Sequence, residues 1–212
     1  MIKFNEKLHN FCYDKNNRLC LGLDVDNSNL KNSSIKYLQE YIIDIIESTI
    51  DLCPIYKINF AFYERFGSKG FEILENISSV LNGKAISIAD AKRGDIGNSS
   101  NFYAEAVFDH LKFDSITVSP YMGFDSIEPF IKYKDKGIFV LCLTSNKGSE
   151  DFQKKVANKK EIYKYVIDMA VKNNYNNNIG LVVGATNDKY LKEIKAISGS
   201  IPWLMPGVGF QG

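Results

Sequence analysis

Histidine and tryptophan are nearly absent, with two His and one Trp in 212 residues. His9 and His110 each lie in an amphipathic helical stretch without a second ligand at metal spacing, so both read as structural and no histidine-based metal site is expected. The four cysteines, Cys12, Cys20, Cys53 and Cys142, form no C-x-x-C pair. Cys20 and Cys142 fall inside apparent strands, where free thiols behave as small buried hydrophobes, which points to reduced cysteines and no zinc. Long apolar runs are missing too. Met1 to Cys12 mixes Lys, Asn and Glu into its apolar positions, which fits neither a signal peptide nor a membrane span, so a cytoplasmic protein is the simplest expectation. Charge of one sign is also lacking. Twenty-six Lys plus Arg against twenty-five Asp plus Glu leave a net charge of +1, and no global field draws the chain to nucleic acid or an acidic membrane. The partner expected is a small molecule.

What is present is one sizeable core. At 45% hydrophobic composition the chain suits a single domain over residues 1–212. Short β-branched or apolar runs recur at 19–24, 55–60, 85–90, 115–119, 138–143, 180–184 and 201–205, giving seven candidate strands. Between them Ile35, Leu38, Ile42, Ile45, Ile46 and Thr49 share one helical face, as do Phe71, Leu74, Ile77 and Leu81. Gly83, Gly137 and Gly199 read as helix stops, and Asp125 with Glu128 as a capping box. Residues 173–178 read as a solvated helix end or loop. Ile2, Leu8 and Phe11 mark an amphipathic start. Alternation of strand and helix implies parallel strands with right-handed crossovers, hence a doubly wound sheet or a closed barrel. Polar residues gather where several strands finish, at Asp24, Lys57 with Asn59, Asp90 with Lys92, Ser119, and Thr144 with Ser145. That distribution favours an α/β fold of the (β/α)8 TIM-barrel type, whose C-terminal face carries the site.

The strongest local signal is Asp90-Ala91-Lys92-Arg93-Gly94-Asp95-Ile96-Gly97. Period-two geometry predicts Asp90 and Lys92 on one face of a strand end, with Asp95 on the following loop. Two carboxylates around one lysine keep it protonated, a proton donor held in place. On these residues alone the plainer reading is a solvated ion pair. Lys57-Ile58-Asn59-Phe60 adds weight, because alternation aims Lys57 and Asn59 to one side and Ile58 and Phe60 to the other. An interior lysine needs acids around it, and Asp24 and Asp90 come from the flanking strands. An ion pair that merely plugs the barrel stays open. The terminal run Pro206-Gly207-Val208-Gly209-Phe210-Gln211-Gly212 follows the seventh strand, where glycines let backbone N–H groups approach an anion. By itself it is a glycine-rich turn with no ligand.

Taken together and in this order, Leu21-Gly22-Leu23-Asp24, Lys57-Ile58-Asn59-Phe60-Ala61-Phe62, the 90–97 run, Thr117-Val118-Ser119-Pro120-Tyr121-Met122-Gly123, Leu143-Thr144-Ser145-Asn146 and the 206–212 run resemble the orotidine 5'-phosphate decarboxylase family. The resemblance implies decarboxylation of orotidine 5'-phosphate to UMP without metal, flavin or Schiff base. It implies that Asp24 and Lys57 hold ribose hydroxyls with Asn59 nearby, that Lys92 protonates C6, and that Asp90 faces the departing carboxylate. Asp95 and Ser99 would be donated across a homodimer; Ser99 stands where the family often has threonine. Ser145 would read the pyrimidine edge, Pro206 would line the base pocket, Gly207 and Gly209 would approach the phosphate, and Gln211 would bridge base and phosphate.

The ending departs from that pattern. The family continues through a mobile loop to an eighth strand with a phosphate-gripping Gly-Arg pair, and neither follows Gly212. Seven strands cannot close an eight-stranded barrel, so a longer natural chain is expected. Two other readings stay open: a magnesium-dependent sugar-acid-phosphate decarboxylase sharing the Asp-x-Lys-x-x-Asp core, and a non-catalytic phosphometabolite-binding barrel.

Overall fold

A computed structural model describes residues 2–207. The strands are β1 (Cys20–Gly22), β2 (Ile55–Asn59), β3 (Ile86–Arg93), β4 (Ser115–Val118), β5 (Gly137–Leu143), β6 (Val156–Ala157), β7 (Lys160–Glu161), β8 (Ile179–Val183) and β9 (Trp203–Leu204). The helices are α1 (Phe4–Asp14), α2 (Ile35–Thr49), α3 (Ala61–Glu64), α4 (Ser68–Leu81), α5 (Gly97–Glu105), α6 (Glu128–Ile131), α7 (Ile162–Asn173) and α8 (Asp188–Ser198). Each of the seven predicted strands is present, as β1 to β5, β8 and β9. The hairpin β6–β7 was not predicted. Its turn, Asn158 and Lys159, takes positive φ at both residues without the glycine that usually marks such turns.

The chain divides into two compact units, and β3 and β4 run through both. One unit is Glu6–Ala91 with Phe102–Ile116. Its strand order is β1-β2-β3-β4, and β1 with β2 and β2 with β3 pair in parallel. Helix α2 starts where Ser34 Oγ accepts from Tyr37 N–H, and it buries Leu38, Ile42 and Ile46 at helical spacing. Helix α4 buries Ile73, Leu74, Ile77 and Leu81, whereas Phe71, expected on that face, is exposed. Gly83 follows α4 at φ +74, as its stop signal requires. Phe60 meets Phe113 edge-on at 5.5 Å. Beside them the buried Asp114 carboxylate accepts from Ser87 N–H and Oγ–H and pairs with Lys7 at 2.6 Å.

The other unit is Met1–Asn5, Lys92–Asn101 and Thr117–Gly212. Its strand order is β3-β4-β5-β8-β9, with β5–β8 and β8–β9 parallel. Phe4, fully buried, packs edge-on against Phe139. Gly137 is no helix stop: it opens β5, and a Cβ there would lie 2.2 Å from the Phe4 ring. Gly199 does end α8, at φ +59. The expected capping box does not form, since Asp125 lies inside a 3-10 turn and α6 begins only at Glu128 without a side-chain cap. Asn178 is buried rather than solvated. Its amide donates to the carbonyls of Ile131, Tyr133 and Lys136, replacing water for three groups at and just after the end of α6. Parallel strands hydrogen-bonded in sequence order match a β/α barrel and not a doubly wound sheet, whose order reverses at a switch point. No helix among the described residues is long and apolar enough to cross a membrane.

Candidate active site

Lys57 sits on β2 with β1 and β3 as its neighbours, Gly22 paired to Lys57 and Asn59 paired to Asp90. That register delivers two acids to one ammonium. Lys57 Nζ lies 2.8 Å from Asp24 Oδ2 and 3.6 Å from Asp90 Oδ2. Lys57 and Asp90 side chains are only 15% and 11% exposed, so each charge offsets the desolvation of the other. Asn59 contributes twice through short-range geometry. Its N–H donates to Asp24 Oδ1 at 3.1 Å, and its Oδ1 accepts from Ala61 N–H at the start of α3. The chain just before Asp24 is anchored from below, where the buried Tyr63 hydroxyl donates to Leu23 C=O at 2.5 Å. Burial pushes the Tyr63 phenol well up, which keeps it a donor at all ordinary pH. The array expected from alternation, Asp24 with Lys57 and Asp90, is therefore assembled, with Asn59 beside it.

Lys92 departs from the expected geometry. Its φ of +48 takes it out of the extended conformation, so strict alternation from Asp90 does not carry through to it. Its N–H donates to Thr117 Oγ1 at 2.9 Å. At the next residue Ser119 N–H donates to Arg93 C=O at 2.7 Å. Gly94 has no room for a side chain, because a Cβ would stand 2.9 Å from the Ser119 carbonyl. Asp95 is half-buried, and its Oδ1 accepts from Ile96 N–H just before α5. Lys92 and Ser99 are exposed, while the neighbouring Ser100 is buried and donates to Ser126 C=O.

Ser145 follows β5 in a turn held from several sides. Thr144 N–H donates to Gln153 Oε1 at 2.7 Å, Gln153 Nε2 donates to Thr144 Oγ1 at 2.8 Å, and Asn187 Nδ2 donates to Thr144 C=O at 3.0 Å. Gly184, at the end of β8, is a close-approach position whose Cβ would reach within 2.6 Å of Ser145 N. Pro206 C=O accepts from Ala185 N–H, and a Cβ placed on Gly207, at φ +96, would stand 3.8 Å from Ser145 Cβ. Ser145, Pro206 and Gly207 are thus brought together. Gly209 and Gln211 lie outside the described residues. A neighbouring cavity of about 480 Å³, walled by Leu141, Cys142, Tyr163, Val166 and Met169, contains none of the predicted site residues. Among the described residues no group of three His, Cys, Asp or Glu is arranged to hold a metal ion.

Sequence reading missed the supports. Thr117 was part of a quoted motif but carried no role, and Gln153, Asn187 and Tyr63 were not singled out. Thr117, Asn187 and Tyr63 act across more than twenty residues, and Gln153 reaches Thr144 nine residues away through a loop; no local spacing signals such contacts.

Residues 17–212 match the profile of the orotidine 5'-phosphate decarboxylase / HUMPS family. The chain belongs to that family. An orotidine 5'-phosphate decarboxylase of Dehalococcoides mccartyi is 48% identical over 215 residues, covering 100% of this chain and 79% of the relative. That of Flavobacterium johnsoniae is 41% identical, covering 98% of this chain and 78% of its own. Among solved structures, the Leishmania donovani OMP decarboxylase superposes with a TM-score of 0.87 at 37% identity, covering 98% of this chain and 80% of that one. A decarboxylase-family fold of the β/α-barrel type therefore carries the site, with seven of its strands among the described residues.

Proposed function

We propose that this protein converts orotidine 5'-phosphate to UMP and carbon dioxide, a carbon–carbon lyase step of pyrimidine biosynthesis. The observation that carries the reading is the Asp24–Lys57–Asp90 array at the ends of three adjacent strands. Its support in kinship is membership of the decarboxylase family over nearly the whole chain. Asp24 and Lys57 present an acceptor and a donor suited to ribose hydroxyls, with Asn59 fixed alongside. In the chemical step the bond between C6 and the carboxylate carbon breaks, carbon dioxide departs, and the electron pair remains on C6. Lys92 Nζ stabilises that charge and then delivers a proton to C6. Asp90 faces the departing carboxylate, and their repulsion, relieved as carbon dioxide leaves, is a secondary contribution. Ser145 reads the pyrimidine edge, Pro206 lines the base pocket, and Gly207 with Gly209 and Gln211 meet the phosphate side. No cofactor is required for these steps.

Asp95 and Ser99 act across a homodimer, in the cytoplasm, on a single domain of residues 1–212. Mixing an Asp95→Asn protein with a Lys92→Ala protein, each inactive alone, restores partial activity if the sites are shared. Absence of recovery despite proven subunit exchange removes the sharing.

The decisive assay follows the absorbance of orotidine 5'-phosphate with and without a chelator. Chelator-insensitive loss of substrate is expected. Turnover of a sugar-acid phosphate that needs added magnesium would instead support the alternative decarboxylase, and binding without turnover of either would support a phosphometabolite-binding barrel.

A further inference from the structure

We infer that Thr117 is a positioning residue for decarboxylation, acting through the backbone of Lys92; this rests on the proposed role of Lys92 as the acid at C6. Lys92 carries a side chain at φ +48, a left-handed conformation in which Cβ crowds the following carbonyl. Non-glycine residues persist there only when their surroundings hold them, and such positions cluster at functional sites.

The holding group is a hydroxyl. In an unbroken parallel ladder the Lys92 N–H would be taken by a backbone carbonyl of the adjacent strand. Here the Lys92 N–H donates to a side chain of β4, Thr117 Oγ1, at 2.9 Å. Thr117 lies on β4, is 1% exposed, and is β-branched, so its χ1 is stiff and the acceptor stands in a fixed place. One residue further on, Arg93 C=O accepts from Ser119 N–H, and Gly94 has no room for a Cβ beside the Ser119 carbonyl. The left-handed excursion is confined to this one residue of the strand, bracketed by the Thr117 hydroxyl and the Arg93–Ser119 hydrogen bond. The direction in which the Lys92 side chain leaves the main chain is set by that bracket. Thr117 is offered no part in the chemistry itself.

Thr117→Val keeps the branched shape and removes the acceptor, whereas Thr117→Ser keeps the acceptor and removes a methyl. The experiment measures kcat and KM for orotidine 5'-phosphate, the Kd for UMP, and the urea midpoint of each variant beside Lys92→Ala. Thr117→Val is expected to lower kcat on the order of tenfold to a hundredfold, with KM and UMP affinity within about twofold of wild type. Thr117→Ser is expected to retain kcat within about threefold, because the hydroxyl is what positions the lysine. A purely structural residue would shift the urea midpoint and leave the kcat of folded enzyme unchanged. Wild-type kcat in folded Thr117→Val, or equal loss in the valine and serine variants, overturns the inference. If Thr117→Val does not fold, Thr117→Ala is read against Thr117→Ser in the same way. Near-normal turnover by Lys92→Ala would instead fail the role of Lys92, so the two failures are told apart.

Discussion

The Asp24–Lys57–Asp90 array and the Lys92–Ser99 segment fix polar side chains by different physics. In the array, the register of β2 with its neighbours brings two acids to one lysine, Asp24 from just past β1 and Asp90 from β3, and attraction between the side chains does the orienting. In the segment, the main chain is constrained first, by a left-handed residue, a hydroxyl acceptor and a glycine against a carbonyl, and the side chains follow. The first arrangement tolerates small backbone shifts because charges re-seek each other. The second does not, since its geometry sits in backbone angles and in a close approach that leaves no room for a Cβ at Gly94.

That contrast can be broken from the array side first. Lys57→Met removes the ammonium held between two part-buried carboxylates, and urea unfolding should show a loss of about 2–3 kcal/mol, less than the cost for fully buried pairs because Asp24 is partly exposed. A loss indistinguishable from zero would mean that the array is a solvated cluster. On the segment side, Gly94→Ala forces a Cβ against the Ser119 carbonyl, and a loss of about 1–3 kcal/mol is expected together with reduced kcat. Unchanged stability would show that the backbone there is free to shift. Tyr63→Phe removes the donor beneath Asp24 and should cost about 1 kcal/mol in the same unfolding measurement. The smallest effect lies outside both regions. Burial pushes the Cys142 thiol from its ordinary 9.0 up to about 12. The folded thiol stays protonated while the unfolded one ionises, so its contribution is complete below pH 9 and fades as pH rises toward 12. Urea titrations between pH 8 and 11 should show that decline, and iodoacetamide at pH 8 should spare Cys142 until the protein unfolds.

The array was legible in the sequence because period-two alternation in β2 is a local rule. Lys57 and Asn59 alternate with Ile58 and Phe60, and the burial pattern follows them. The seven strands were legible for the same reason, each being a short apolar run between polar turns. Lys92 was placed by the same rule and departs from it, since a positive φ at a lysine has no residue-type signature. Gly137 was read as a helix stop when its need is space for Phe4, more than a hundred residues away. Asn178 looked like solvent-facing asparagine in an Asn-rich run, yet it is the buried partner of three carbonyls. These departures share one cause: a distant contact decides the role, and composition around the residue is silent about it.

The central claim is that the ammonium of Lys92 supplies the proton to C6. Turnover of orotidine 5'-phosphate by Lys92→Ala, measured beside its affinity for UMP, tests this most directly. The account predicts loss of turnover with UMP binding still detectable, and turnover close to wild type would contradict it.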